Sequence, residues 1–231
     1  MRELYIIILA LVTFSCDIDQ QEEAVLTILA DRTDAHILNP EVDDIRALID
    51  LDRSPNMGVN IYFQNLGNVD YSPLSTIAIA SFSLLDNELQ RKSNIKRFYS
   101  EIDSLVVREN ARSYDFNNSS ILYPLINHLK KLNSSGATKK QLLLYSDLME
   151  FSDIYDSYAG RDDLLKDSKA IGEKLRSSLD IPNLEGVKLF LMYYPETIEQ
   201  NRLFRAWHSV YRELFNESGL EIYIGINQIS S

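Results

Sequence analysis

The fold class is indicated first by one stretch near the start of the chain, AVLTILADRTD, which covers residues 24–34. Its first seven residues form a continuous apolar run with β-branched side chains, a pattern typical of a strand buried on both faces. The run gives way to charged and polar residues at Asp31. Strands buried on both faces belong to sheets that helices cover on each side, so the stretch predicts an α/β protein.

Strands and helices alternate along the rest of the chain. Further apolar runs predict strands at about residues 58–66, 74–82, 140–145, 186–194 and 220–226. Apolar side chains at helical spacing predict helices at about residues 40–51, 88–110, 122–132, 162–179 and 197–216. The connection between the second and third strands is short, so this pair is expected to be antiparallel. The pattern predicts a Rossmann-like three-layer sandwich with a mostly parallel central sheet and one antiparallel strand, formed as one domain by residues 24–231.

Two helix starts are predicted from capping residues. Asn39 before Pro40 is a favourable N-cap for the first helix, because Asn accepts hydrogen bonds from the amides of the first turn and Pro is tolerated there. Ser119 or Ser120 is expected to cap the helix predicted over residues 122–132.

Residues 1–15 have the features of an export signal. Twelve apolar or small residues, 4–15, precede Cys16, the one cysteine of the chain. Twelve residues make about 18 Å of helix, which is too short for a bilayer core of about 30 Å and fits a signal peptide better. The six residues LVTFSC, which end at Cys16, resemble a relaxed bacterial lipobox, whose cysteine is lipidated and becomes the first residue of the mature protein. The alternative is a plain signal peptide in which Cys16 is an ordinary thiol.

The lipobox resemblance implies where the protein is located. It predicts a lipoprotein signal peptide over residues 1–15, lipidation of Cys16, and an acidic tether over residues 16–23 that reaches at most about 28 Å. The domain would then lie close to a membrane of the bacterial cell envelope, anchored by its lipid and facing the periplasm or the cell surface. The outer membrane is the expected membrane.

The charge of the chain excludes one class of partner. There are 34 acidic and 23 basic side chains, which give a net charge of -11. A protein that binds nucleic acid without sequence preference needs a basic surface, so nucleic acid is not an expected partner. An acidic chain is compatible with oxygen ligands for a hard cation.

Residues able to bind a cation follow the predicted strands. Asp31 and Thr33 come after the first strand, Asp147 comes after the fourth, and Ser119 and Ser120 precede a helix. In open α/β sheets, ligands bind outside the carboxyl ends of the strands. Carboxylate and hydroxyl oxygens are ligands of hard cations, so the expected metal is Mg²⁺, with Mn²⁺ or Ca²⁺ as alternatives.

The order of the elements and these residues resemble the von Willebrand factor A (vWA) domain and its metal-ion-dependent adhesion site. In that family the first strand ends in Asp-x-Ser-x-Ser, a later loop supplies Thr, and the fourth strand ends in Asp, often followed by Gly. Asp31 matches the first Asp, Thr33 the first Ser and Asp147 the last Asp, while Ser119 or Ser120 would stand for the loop Thr. The resemblance implies that these five residues hold a metal and that a carboxylate of a partner protein completes its coordination.

Several residues depart from the family pattern. Ala35 replaces the second Ser, and Leu148 replaces the Gly. Asp34 could substitute as a ligand, or Arg32 could pair with Asp147 and fill the space of the metal. A simpler interpretation has the two matching aspartates capping local turns or helix starts.

The leading interpretation is therefore a lipid-anchored envelope protein whose vWA-like domain binds a protein partner, through a divalent-metal adhesion site at the strand ends. One alternative is a metal-free scaffold or interaction domain of the same fold. Another is a metal-dependent hydrolase or phosphotransferase that uses Asp31. An enzyme is not expected, since the sequence has no His-x-x-x-His pair, no Gly-x-Ser-x-Gly elbow and no P-loop.

An aromatic and acidic segment follows the fourth strand. Its rings are Tyr145, Phe151, Tyr155 and Tyr158. Because Tyr is enriched in interfaces, one interpretation is a rim that binds the partner beside the strand ends. The other is a loop whose rings fold back onto the sheet.

Overall fold

The apolar stretch after Glu22 forms the central strand of the sheet. In the computed structural model, which describes residues 22–33, 37–67, 73–83, 87–112 and 119–226, this strand is β1, Glu23–Asp31. It lies between two parallel neighbours, and its residues from Ala24 onward are buried. The predicted signal peptide, Cys16 and most of the acidic tether lie outside the described residues, as do Asp34 and Ala35.

The sheet has six strands in the described part of the chain, in the order β3-β2-β1-β4-β5-β6. The further strands are β2 (Gly58–Leu66), β3 (Ser75–Ile79), β4 (Lys139–Tyr145), β5 (Val187–Met192) and β6 (Glu221–Ile224). Neighbouring strands are parallel except β2 and β3, which are antiparallel. The predicted fold class, an α/β sandwich with a mostly parallel sheet and one antiparallel strand, is confirmed.

Helices cover both faces of this sheet. They are α1 (Val42–Leu48), α2 (Glu88–Asn110), α3 (Leu122–Ser134), α4 (Arg161–Lys166), α5 (Ser168–Ser178) and α6 (Ile198–Leu214). One hydrophobic core joins the sheet to α1 and α2, and a second core on the other face joins it to α3 and α6. Within the described residues, no helix is both long enough and apolar enough to cross a membrane.

The alternation of side chains along β1 decides which face each functional residue reaches. Leu26, Ile28 and Ala30 belong to the core beneath α1 and α2, whereas Val25 and Leu29 belong to the core beneath α3 and α6. Successive side chains of a strand point to opposite faces. The side chain of Asp31 therefore leaves the end of β1 toward the face covered by α3 and α6.

The first helix does not begin where its sequence predicts. Its N-cap is Glu41, which makes no capping hydrogen bond through its side chain. Asn39, the predicted cap, instead accepts a hydrogen bond from the guanidinium of Arg32. The Asn39 side chain, which local sequence predicts as the helix cap, therefore makes a tertiary contact at the end of β1 instead.

The helix predicted over residues 162–179 is two helices, α4 and α5. Asp167 leaves the helical conformation between them, and its carboxylate accepts a hydrogen bond of 3.0 Å from the backbone N–H of Ala170. Asp side chains compete for backbone amides and favour cap positions, which explains why this residue ends one helix and begins the next.

Candidate functional site at the strand ends

The carboxylate of Asp31 is the centre of a buried polar cluster. One of its oxygens, Oδ1, accepts hydrogen bonds from the backbone N–H of Thr33 at 3.0 Å and from the Thr33 hydroxyl at 2.6 Å. The other, Oδ2, accepts hydrogen bonds from the hydroxyls of Ser119 and Ser146, each at 3.0 Å. Asp31 is only 1% exposed. Three hydroxyl groups and one amide thus converge on one buried carboxylate.

Burial and hydrogen bonding act in opposite directions on Asp31. Burial raises the pKa of its carboxyl group, while the hydrogen bonds from Thr33, Ser119 and Ser146 lower it. The net direction is upward, so removal from water outweighs the four donors. Such a carboxylate gains from any further positive charge placed beside it.

Ser146 belongs to this cluster, although it was not among the predicted ligands. In the register of β1 and β4, Ala30 lies opposite Tyr145, so the residues that follow them, Asp31 and Ser146, emerge side by side. The Ser146 hydroxyl also accepts a hydrogen bond of 2.9 Å from the backbone N–H of Leu148, which fixes its orientation. The register of the two parallel strands is the signal that identifies it, and register is a tertiary property.

The two serines before α3 have different environments. Ser119 joins the Asp31 cluster through its hydroxyl. The Ser120 hydroxyl is buried and has no hydrogen-bond partner among the described residues. Neither caps the helix as predicted, because the N-cap of α3 is Ile121, which offers no side-chain acceptor.

Glu150 caps α3 instead, from a distant part of the chain. Its Oε2 accepts hydrogen bonds of 2.9 Å from the backbone N–H groups of Ile121 and Leu122, and its Oε1 accepts one from the Ser152 hydroxyl. Glu150 is fully buried. Burial raises the pKa of this carboxyl group, and the neighbouring charge of Asp31 raises it further. A helix start carries positive charge that stabilises a carboxylate, so Glu150 anchors the loop after β4 to α3.

Tyr211 of α6 is close enough to these carboxylates for their charges to act on its phenol. It is fully buried, and its hydroxyl has no hydrogen-bond partner among the described residues. Burial raises the pKa of the phenol well above its usual value, and the charges of Glu150, Asp31 and Asp147 add to this effect. The phenol is therefore neutral and retains its proton beside the acidic groups.

Asp147 takes part in a local turn. Its Oδ1 accepts a hydrogen bond of 2.9 Å from the backbone N–H of Met149. The intervening Leu148 is buried and has φ 68°, the left-handed region that leucine rarely adopts. This is the position at which the vWA pattern often has Gly. The backbone strain is of the order of 1–3 kcal/mol, and such strain tends to occur at functional loops.

Arg32 makes its described side-chain hydrogen bonds on the opposite face of the sheet. Its guanidinium donates to the side-chain oxygens of Asn65, at 2.8 Å, and Asn110, at 2.6 Å, and also to Asn39. Asn65 is on β2 and Asn110 is the last residue of α2. These contacts place the guanidinium on the α2 side, whereas Asp31 faces α3 and α6.

The aromatic segment after β4 fits each of the two interpretations in part, because two of its rings are exposed and the other two contact the rest of the domain. Phe151 and Tyr158 are exposed, and their rings meet edge to face with centroids 5.8 Å apart. Tyr155 packs edge to face on Trp207, and its hydroxyl donates to the carbonyl of Gly160. Tyr145 is buried and donates a hydrogen bond of 2.7 Å to Asp44.

Two further apolar side chains are exposed after β5. Tyr194 is 73% exposed and Ile198, at the start of α6, is 83% exposed. The carboxylate of Glu199, next to Ile198, bonds to Arg161 at the start of α4, shortly after Tyr158. We call Phe151, Tyr158, Tyr194 and Ile198 the strand-end rim.

The donors around Asp31 fit a hard cation in chemical type. Thr33, Ser119 and Ser146 are hydroxyl oxygens, Asp31 is a carboxylate, and the orphaned Ser120 hydroxyl is a further buried oxygen nearby in sequence. Mg²⁺, Mn²⁺ and Ca²⁺ prefer such ligands. The described residues contain no group of three or more His, Cys, Asp or Glu side chains that could hold a metal ion. A cation here would therefore rely on hydroxyls and water rather than on several acids.

Comparisons with known proteins do not assign a family. No protein-family model matches the chain, and no curated protein does. Among solved structures, the chain is similar to the crystal structure of the conserved hypothetical protein BatB from Bacteroides thetaiotaomicron, with 8% identity and a TM-score of 0.33. That match covers 90% of this chain and 93% of the other.

Proposed function

We propose that this chain is a lipid-anchored envelope protein whose vWA-like domain binds a protein partner at the carboxyl ends of its strands. One observation supports this most directly: Ser119 is hydrogen-bonded both to Phe151 of the exposed rim and to the buried carboxylate of Asp31. Phe151 donates a backbone hydrogen bond of 2.8 Å to the carbonyl of Ser119, and the hydroxyl of Ser119 donates to Asp31. Exposed aromatic side chains beside a polar, strained loop are typical of recognition surfaces.

We propose further that a divalent cation, Mg²⁺ with Mn²⁺ or Ca²⁺ as alternatives, binds at Asp31, Thr33, Ser119, Ser120 and Asp147. Oxygen donors and the raised pKa of Asp31 favour this, because a buried carboxylate is stabilised by a nearby cation. Calorimetric titration with Mg²⁺ and then Mn²⁺ tests it, with Asp31→Asn and Asp147→Asn as variants. Saturable heat that both variants lose supports the site. Absence of heat at millimolar metal removes the metal from the proposal.

A metal-free interaction domain is the second candidate function. The specific observation in its favour is that both oxygens of Asp31 already accept two hydrogen bonds each. In that case the carboxylate organises the loops around it, and the rim binds the partner alone. The same hydrogen bonds and the burial of Asp31 disfavour its use as a nucleophile, so we propose a binding role rather than catalysis.

Photo-crosslinking in the native host tests partner binding. A photoreactive amino acid replaces Tyr158 in the rim, or Leu89 on α2 as the matched control. Leu89 is also highly exposed, but it lies at the other end of the sheet. It is near Arg91, whose guanidinium donates to the carbonyls of Pro55 and Met57, just before β2 begins. A discrete product from position 158 and none from position 89 is expected. Equal labelling at both positions would contradict a specific partner site at the rim.

A further inference from the structure

A separate cavity of about 310 Å³ opens on the α3 side of the sheet, beside the middle of β1. Its walls include Val25 and Thr27 of β1, Tyr62 of β2, Leu132 of α3 and Leu74. Thr27 lies four residues before Asp31 on the same strand, about 13 Å away at the usual rise of a strand. This volume is at the lower end of the range of about 300–1,000 Å³ for small-molecule pockets.

The cavity exists because α3 does not cover the whole face of the sheet. This helix packs on β1, β4 and β5, while Tyr62 of β2 remains only half-buried. Val25 and Leu132 are nearly or fully buried at its floor, and Leu74, 44% exposed, lies at its edge. The side chains of Val25, Leu132 and Leu74 are apolar, so a ligand that leaves water against them gains from the hydrophobic effect.

Of the polar side chains described around the cavity, one is charged near neutral pH. His128 is almost fully buried, and its Nε2 lies 2.7 Å from Oε1 of Gln64. Burial lowers the pKa of His128 to about 4, and the charge of Lys131 contributes, so the imidazole is neutral near neutral pH. Among the described residues that line the cavity, Lys131 is therefore the one that carries a charge.

The ammonium of Lys131 has no ion pair within the described residues, although the chain carries a net charge of -11. Its neighbour Lys130 differs, because its Nζ bonds to Asp180 at 2.7 Å. A lone cation at the edge of an apolar cavity is complementary to a molecule with an apolar body and one anionic end.

We propose that this cavity binds a small monocarboxylic acid with a short aliphatic tail. The tail would lie against Val25, Leu132 and Leu74, and the carboxylate would pair with the ammonium of Lys131. The size of the cavity favours a small molecule over a peptide segment. This site does not depend on the strand-end rim or on a metal.

Octanoate is the probe for this proposal, and 1-octanol is its neutral counterpart. Amide NMR spectra of the nitrogen-15-labelled chain are recorded during titration with each. Octanoate is expected to shift the resonances of residues 25–27 and 128–135 saturably. Lys131→Met should weaken octanoate binding about two- to fivefold, the range for an exposed ion pair, and leave octanol binding unchanged. Lys130→Met, the matched control, should change neither.

Leu74→Ala tests the apolar part of the site independently. It removes one wall of the cavity at an exposed position, so the chain is expected to fold, and both octanoate and octanol should bind more weakly. The proposal is overturned if octanoate causes no saturable shifts at the cavity at millimolar concentration. It is also overturned if Lys131→Met and Lys130→Met weaken octanoate equally, which would indicate general attraction to surface lysines.

Discussion

The backbone N–H of Phe151 donates a hydrogen bond of 2.8 Å to the carbonyl oxygen of Ser119. The hydroxyl of the same Ser119 donates to the buried carboxylate of Asp31 at 3.0 Å. One residue therefore connects the exposed rim to the centre of the polar cluster. A partner that binds at Phe151 would therefore bind beside the residue whose hydroxyl donates to Asp31.

Removing the distant cap of α3 is expected to destabilise the fold. Glu150→Ala leaves the backbone N–H groups of Ile121 and Leu122 buried without their acceptor. Hydrogen bonds to charged groups contribute about 1.5–3 kcal/mol each, and their loss is not fully additive, so we expect the free energy of unfolding to fall by about 2–4 kcal/mol. Urea unfolding followed by circular dichroism measures it. Glu101→Ala, on the solvent side of α2, is the control and should change stability by less than about 0.5 kcal/mol.

The left-handed backbone at Leu148 predicts that a glycine variant is more stable than an alanine variant, which is the reverse of the usual order. Leu148→Gly and Leu148→Ala both remove a fully buried side chain and should cost about 2–5 kcal/mol. At ordinary backbone angles Gly is less stable than Ala, but at φ 68° the glycine avoids the steric strain. We therefore expect the Gly variant to be more stable than the Ala variant by about 1 kcal/mol. At Leu143 of β4, a strand position, the same pair should show Ala as the more stable, and an identical order at both sites would contradict the strain.

The neutral state of His128 predicts a loss of stability in acid. Its pKa falls from the ordinary 6.5 to about 4 on folding, so between these values the unfolded chain binds more protons than the folded one. Stability from this group is present above pH 6.5 and is lost as the pH falls toward 4, by at most about 3 kcal/mol. Urea unfolding at several pH values should show this slope for the natural chain and a flatter one for His128→Gln. His208→Gln, at a half-buried position on α6, should change the slope less.

The lipobox resemblance predicts that Cys16 anchors the protein. In a bacterial host, the natural chain should enter the detergent phase on partition with Triton X-114 and incorporate a labelled fatty acid. Cys16→Ser removes the thiol that the lipid modifies, so the label should be lost and the chain should move to the aqueous phase. Equal partition of both forms, without label in either, would support the plain signal peptide instead.

Local sequence was sufficient for most of the elements. The bounds predicted for β2 and α2 are those observed, because each segment has a consistent hydrophobic period and ends at polar or turn residues. The break at Asp167 was missed, since apolar spacing continues on both sides of a residue whose own carboxylate ends the helix. The identity and number of the strands and the α/β class follow from hydrophobic periods of a few residues. Such periods can be recognised in a single sequence.

Only some residues of the candidate site could be predicted from local sequence. Asp31, Thr33 and Ser119 were predicted from their positions at the ends of elements, and the structure brings them together. Ser146 joins them because of the register between β1 and β4, and Glu150 caps a helix that begins 28 residues earlier. Neither the strand register nor the distant helix cap produces a recognisable pattern in the local sequence. The sequence by itself determined the α/β class and the strand ends at which polar groups collect, because burial imposes a short-range period on the chain. Only the tertiary structure decided which of those groups meet, because register and side-chain burial depend on residues far apart in sequence.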